Sequence, residues 1–250
     1  MESNAIEIRS LCKHYKGFSL DDLNLDLPYG CVLGLVGENG AGKSTTIRLI
    51  MDALERDGGT VSVLGADNQS KEFLDLKEDI GVVLDETFVP EVINARQMGK
   101  IMAGTYKNWD QAVYDGWIRR FELPLDKKFK DYSRGMTMKL GIAAALSHHP
   151  RLLLLDEATG GLDPMVREEL LEVFADFAAQ DGHAVLLSSH IVSDLERICD
   201  YIAFLHRGRL VLCEEKDVLL DTFGILKCSR EQLKNIPQEA VHGKRIGNYG

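Results

Sequence analysis

The chain has no run of eighteen apolar residues anywhere in its 250 positions, so no segment is expected to cross a bilayer as a helix. Its opening residues, MESNAIEIRS, lack a basic stretch followed by an apolar one, and a secretory signal is not expected. Cysteine is scarce and unpaired in pattern. Cys12, Cys31, Cys199, Cys213 and Cys228 are odd in number and include no C-x-x-C spacing, which argues against a disulfide framework or metal site and favours a reducing compartment. Positive charge is in deficit. With 29 basic and 39 acidic residues the net charge is −10, so a chain-wide basic field for nucleic acid or anionic lipid is absent, while a local basic pocket for a phosphate stays open. There is no repeat of solenoid period, and 45% hydrophobic with 27% charged residues excludes collagenous, low-complexity and disordered classes. What remains is one large globular domain, or one domain with an insertion, able to bury roughly 70–75% of its unfolded surface.

The pattern along the chain is that of an α/β protein. Ile6 and Ile8, then Leu23, Leu25 and Leu27, alternate with polar neighbours as strands with one wet face do. Pro28-Tyr29-Gly30 reads as a turn. Cys31 to Val36 is apolar without alternation, as in a strand buried on both faces. A helix is expected from near Lys43, carrying Ile47, Ile50, Met51 and Leu54 inward. Strands are expected at 61–64 and 80–84. Residues 86–131 show helical periodicity and hold seven of the eighteen aromatics, both tryptophans among them. Beyond this stretch, strands at 152–155, 184–187 and 201–205 alternate with helices. One of these opens at Pro164, with Val166, Leu170, Phe174 and Phe177 on a single face, and the next covers 191–199.

Gly37-Glu38-Asn39-Gly40-Ala41-Gly42-Lys43-Ser44 fits G-x-x-x-x-G-K-[ST] and sits between a buried strand and a helix, the context that motif requires. Its glycines let backbone N–H groups converge on an anion, and the helix N-terminus adds a favourable dipole. Lys43 is placed to reach β- and γ-phosphates and the Ser44 hydroxyl to ligate Mg²⁺. The strand Leu152–Leu155 ends in Asp156-Glu157, at the edge where open parallel sheets hold ligands. There Asp156 suits Mg²⁺ and Glu157 suits a general base that polarises water. The competing reading, an acidic helix cap, loses weight beside a phosphate loop. His190 ends another apolar strand, where imidazole can meet a γ-phosphate or the attacking water. His148 and His149 look like loop residues without a role.

In this order the elements resemble the nucleotide-binding subunit of ATP-binding cassette (ABC) transporters, most closely the stand-alone ATPase subunits of bacterial export-type systems. The resemblance runs from about residue 6 to about residue 213. It implies a P-loop NTPase core with an N-terminal antiparallel β subdomain and an inserted α-helical subdomain at 86–150, followed by a C-terminal extension at 214–250. Tyr15 matches the aromatic that stacks on adenine, and residues 37–45, including Thr45, match the phosphate loop. Asp156 and Glu157 match the magnesium and base pair, Gly161-Leu162-Asp163 the D-loop, and His190 the switch histidine. Tyr132-Ser133-Arg134-Gly135-Met136 stands where the family has Leu-Ser-Gly-Gly-Gln, with Ser133 and Gly135 matching the positions that meet ATP held by a partner subunit. Tyr132, Arg134 and Met136 depart from that pattern. Arg134 either adds charge near the partner's phosphates or faces solvent. Asp85 replaces a glutamine that touches Mg²⁺ and water. As a hard oxygen ligand it either strengthens the metal site or repels the γ-phosphate.

The resemblance further implies ATP and Mg²⁺ as ligands, hydrolysis, and head-to-tail pairing with a second ATPase subunit, identical or paralogous. It also implies a membrane-spanning permease supplied in trans, hence a cytoplasmic protein held peripherally at the inner face of the membrane. Phe88, Tyr106, Trp109 and Trp117 are candidates for that docking surface, against the blander reading that most of them pack the insertion. No nucleic-acid partner and no direct lipid anchor are expected. A cassette serving DNA repair or translation is disfavoured, because Lys43 and Asp156 are only 113 positions apart, with no room for a coiled coil or second cassette. A regulatory module that holds ATP without hydrolysing it stays open, with Asp85 and Met136 in its favour. The tail carries no motif, and Lys244-Arg245 is read as solvated.

Overall fold

The computed structural model describes residues 4–85, 90–233, 235–237, 240, 241 and 243. Phe88 and the Lys244-Arg245 pair lie outside the described residues. The chain divides into two compact units, Met1–Lys216 and Asp217–Gly250. In the first, β1 (Asn4–Tyr15), β2 (Phe18–Pro28), β4 (Gly58–Val63) and β5 (Ala66–Asp67) form an antiparallel sheet in the order β2-β1-β4-β5. A second sheet has six strands in the order β10-β9-β3-β8-β7-β6. Its members are β3 (Val32–Val36), β6 (Ile80–Val83), β7 (Leu152–Asp156), β8 (Ala184–Ser189), β9 (Tyr201–His206) and β10 (Arg209–Glu215), parallel except for the antiparallel edge strand β10. The helices of this unit are α1 (Lys43–Ile50), α2 (Glu72–Leu76), α3 (Ala95–Thr105), α4 (Gln111–Arg120), α5 (Arg134–Leu146), α6 (Pro164–Ala178) and α7 (Val192–Ile198). Then α8 (Lys216–Thr222) leads into the second unit, which holds α9 (Arg230–Leu233).

Strand periodicity splits the interior into two cores. On β7, Leu152 and Leu154 join one cluster with the antiparallel sheet and α1, while Leu153 and Leu155 join the other with α3 to α6. β8 repeats the division, Ala184 and Leu186 against Val185 and Leu187. A parallel strand covered on both faces reads as a near-continuous apolar run, and β7 buries four leucines followed by Asp156. Each fully buried leucine contributes about 1.5–3 kcal/mol of transfer free energy. That is why these strand ends are firm enough to carry a site.

Two expectations change. Helix α1 stops at Ile50, and Met51 and Leu54 are half-buried beyond it. Asp52 adopts a φ of 51°, a left-handed conformation that ends a helix. His148 is no idle loop residue, for it is fully buried. Its ring stacks on Tyr106 at 3.9 Å and 6°, and its Nδ1–H donates to the Glu78 carbonyl at 2.8 Å. Among the described residues, both tryptophans of this stretch are half-buried. Trp109 lies 5.0 Å from Tyr114, Trp117 lies 5.2 Å from Phe121, and both tryptophans pack against the helical core.

Burial holds the His148 imidazole below its ordinary value of 6.5, an effect only partly opposed by the Glu78 carbonyl and nearby Asp79, and reinforced by His149. The neighbouring Tyr106 phenol is pushed up by burial and stays neutral. Since the folded value is depressed, the unfolded chain takes the proton more readily. Stability from His148 is therefore complete above about pH 6.5 and is lost as pH falls through the window below it. In His148→Gln, scanning calorimetry between about pH 7.5 and 5.5 is expected to show a shallower fall in Tm than in the parent. Loss of the ring stack should cost about 1 kcal/mol at neutral pH.

Candidate active site

The phosphate loop leaves β3 and enters α1 through Gly42, whose φ of 114° only glycine adopts without strain. No side chain caps that helix, so its first amides point into the loop with no side-chain acceptor. Gly37 is fixed by contact, because a Cβ there would lie 2.4 Å from the Leu205 carbonyl oxygen on β9. Across the loop, Gly208 N–H donates to the Ala41 carbonyl at 2.9 Å, seating it against the β9–β10 turn. Asn39 and Gly40 are exposed, while Ser44 and Thr45 are half-buried on the first turn of α1. Tyr15 ends β1 with its ring exposed, 6.4 Å from that of Phe18. A Cβ on Gly42 would lie 3.0 Å from the Phe18 ring, so the Tyr15–Phe18 pair flanks the loop.

Lys43 is 5% exposed. Its ammonium donates to the Gly37 carbonyl at 2.8 Å and the Glu38 carbonyl at 3.4 Å. It also lies 3.1 Å from Glu157 Oε1. This is an ion-pair distance without hydrogen-bond alignment, and Oε1 makes no hydrogen bond among the described residues. The other oxygen of the same carboxylate, Oε2, accepts from His190 Nδ1 at 2.6 Å. One glutamate thus joins the phosphate-loop lysine to the strand-end histidine. Glu157 holds a φ of 51°, a left-handed conformation that costs a non-glycine residue about 1–3 kcal/mol. Its backbone N–H offsets part of that by donating to both the carbonyl and the hydroxyl of Ser188.

Ser188 is the residue that motif reasoning missed. Buried on β8, it donates from Oγ to Asp156 Oδ1 at 2.6 Å and accepts from Glu157 N–H at 3.0 Å. The signal was present in sequence as a hydroxyl two positions before His190, but only strand pairing reveals its partners. Asp156, 4% exposed, has only Oδ1 engaged among the described residues, which leaves a second hard oxygen available. Among the described residues no three His, Cys, Asp or Glu side chains form a metal cluster. That donor set suits Mg²⁺, which takes one or two carboxylates and completes its shell with phosphate oxygens and water.

Ser133 is the N-cap of α5, its hydroxyl accepting from Met136 N–H at 3.2 Å, and Gly135 is half-buried on the first turn. The departures around it have structural partners. Tyr132 donates to the Pro124 carbonyl at 2.6 Å and meets Phe129 edge-on, and Met136 packs on the helical core. Arg134 stays about half exposed, and its Nη2 donates to Asp85 Oδ1 at 2.6 Å. Asp163 caps α6 by accepting from Met165 N–H at 2.9 Å, with Pro164 opening the helix.

Residues 20–160 match the family model described as ABC transporter, and the chain belongs to that family. His190 lies beyond the matched span. Within the family it is an ATP-binding subunit, and its relatives carry that role in their names. YhcH of Bacillus subtilis, an uncharacterized ABC transporter ATP-binding protein, is 33% identical over 82% of this chain and 68% of its own. SrtF of Streptococcus pyogenes, a lantibiotic transport ATP-binding protein, is 33% identical over 85% of this chain and 91% of its own. A solved ATP-binding subunit of an ABC transporter superposes with a TM-score of 0.79 at 28% identity, covering 92% of this chain and 98% of that one.

Removing the Ser188 hydroxyl leaves Asp156 unoriented and Glu157 N–H with one acceptor fewer. Ser188→Ala is expected to lower steady-state phosphate release by about 10-fold or more while the fold persists by circular dichroism. Unchanged turnover would place the orientation of Asp156 elsewhere.

Proposed function

We propose that the chain hydrolyses Mg·ATP to energise transport, in the export direction, through a permease carried on a separate membrane-spanning subunit. The observation that carries the reading is the convergence of Lys43 and His190 on the two oxygens of Glu157. A general base must reach water beside the transferred phosphoryl group, and Glu157 sits next to the lysine that cradles it. Gly37, Asn39, Gly40, Gly42, Ser44 and Thr45 form the cradle, with Tyr15 against the adenine. Lys43 exchanges the Glu157 carboxylate for β- and γ-phosphate oxygens, which frees Glu157 to orient water. His190, tethered through Nδ1, presents its other ring nitrogen to the γ-phosphate. Ser44 and Asp156 would hold Mg²⁺, joined by the Asp85 oxygen that Arg134 leaves open. When bound, the metal offsets charge on the phosphates.

Ser133, Gly135 and Asp163 lie on exposed helix starts, and they face ATP held by a second subunit, identical or paralogous. The reading divides the chain into a cassette at 1–213, with the helical insertion at 86–150, and an extension at 214–250. Among the described residues no helix is long and apolar enough to cross a membrane. The membrane is met through the permease at its cytoplasmic face, and the net charge of −10 favours docking to protein over lipid or nucleic acid.

Glu157→Gln should retain ATP binding, lose turnover by at least about 100-fold, and accumulate an ATP-dependent dimer by sedimentation. Persistent phosphate release in that variant would remove Glu157 from the role of base.

A further inference from the structure

The two charged departures from the family pattern, Asp85 and Arg134, meet each other. Arg134 Nη2 donates to Asp85 Oδ1 at 2.6 Å, with both side chains about half exposed. The guanidinium also lies against the turn that follows Glu157. A Cβ on Gly161 would sit 3.5 Å from Arg134 Cζ, and one on Gly160 would sit 3.8 Å from Arg134 Nη2 and 3.7 Å from Glu157 Oε2. Arg134 therefore touches the loop after β6 and the loop after β7 from the first turn of α5, between Ser133 and Gly135. Gly160 has Arg134 and the proposed base Glu157 both within 4 Å of where its Cβ would be.

Guanidinium groups bind carboxylate and phosphate oxygens through the same planar fork of donors. We propose that Asp85 is a placeholder for phosphate, holding Arg134 within its own chain until Arg134 changes partner to the nucleotide bound by a second copy. Asp85 then competes with that nucleotide for one positioning residue, and the strength of the internal pair sets how readily two copies close. The proposal rests on the pairing of subunits put forward above. It accounts for an acid and a base appearing together where the family carries a glutamine and a glycine.

The competition predicts opposite signs for the two partners. In full-length chain carrying Glu157→Gln, with saturating ATP and Mg²⁺, the dimer Kd is measured by sedimentation. Adding Asp85→Asn should tighten the dimer by about two- to five-fold, the worth of an exposed ion pair. Arg134→Gln should weaken it instead. In the Arg134→Gln background Asp85→Asn should then no longer tighten the dimer, because the pair it would release is already gone. Tightening that persists in that background reports bulk charge and overturns the exchange, as does a shift of the same sign in both single variants. If Arg134→Gln does not fold, Arg134→Lys takes its place, keeping the charge and losing the fork. Absence of a dimer in Glu157→Gln alone overturns the pairing itself, and the exchange with it.

Discussion

The site depends on how one carboxylate balances two cationic or proton-bearing groups. Lys43 is nearly buried, and a buried ammonium without a counter-charge is costly. Two loop carbonyls accept from its ammonium, and Glu157 supplies the charge. The same carboxylate then orients His190. These three residues follow β3, β7 and β8, Lys43 across the phosphate loop and Glu157 and His190 directly after their strands. They meet because β8 lies between β3 and β7, and parallel neighbours sit about 4.8 Å apart. Reordering the strands would separate the three groups even with every residue unchanged.

Firmness at these strand ends comes from the double core. Each central strand divides its side chains between the antiparallel sheet on one side and the helices on the other. Neither face can slip without exposing leucine. Ser188 links this apolar frame to the chemistry. It is itself buried, and it converts the register of β7 against β8 into the orientation of Asp156 and the backbone of Glu157. The left-handed backbone at Glu157 is tolerated because two acceptors on one serine hold its N–H.

The helical part shows that a departure from a motif is not by itself a defect. Tyr132 and Met136 have apolar work, packing on Phe129 and the helical core. Tyr106 and His148 form an aromatic joint between the end of α3 and the Glu78 carbonyl. In sequence that joint looked like a docking candidate beside an idle histidine. Periodicity counts apolar residues on a face, but it does not say what covers the face.

Local sequence determined the strands, the phosphate loop and the helix starts, because apolar alternation, glycine spacing and capping residues act within a few positions of the chain. It also marked Asp156, Glu157 and His190 as residues at apolar strand ends. Tertiary structure decided which of them touch. It alone placed Ser188 between Asp156 and Glu157, gave Arg134 to Asp85 across 49 positions, and buried His148. Those contacts follow from strand order and register, and side chains far apart in sequence carry no local pattern that announces their meeting.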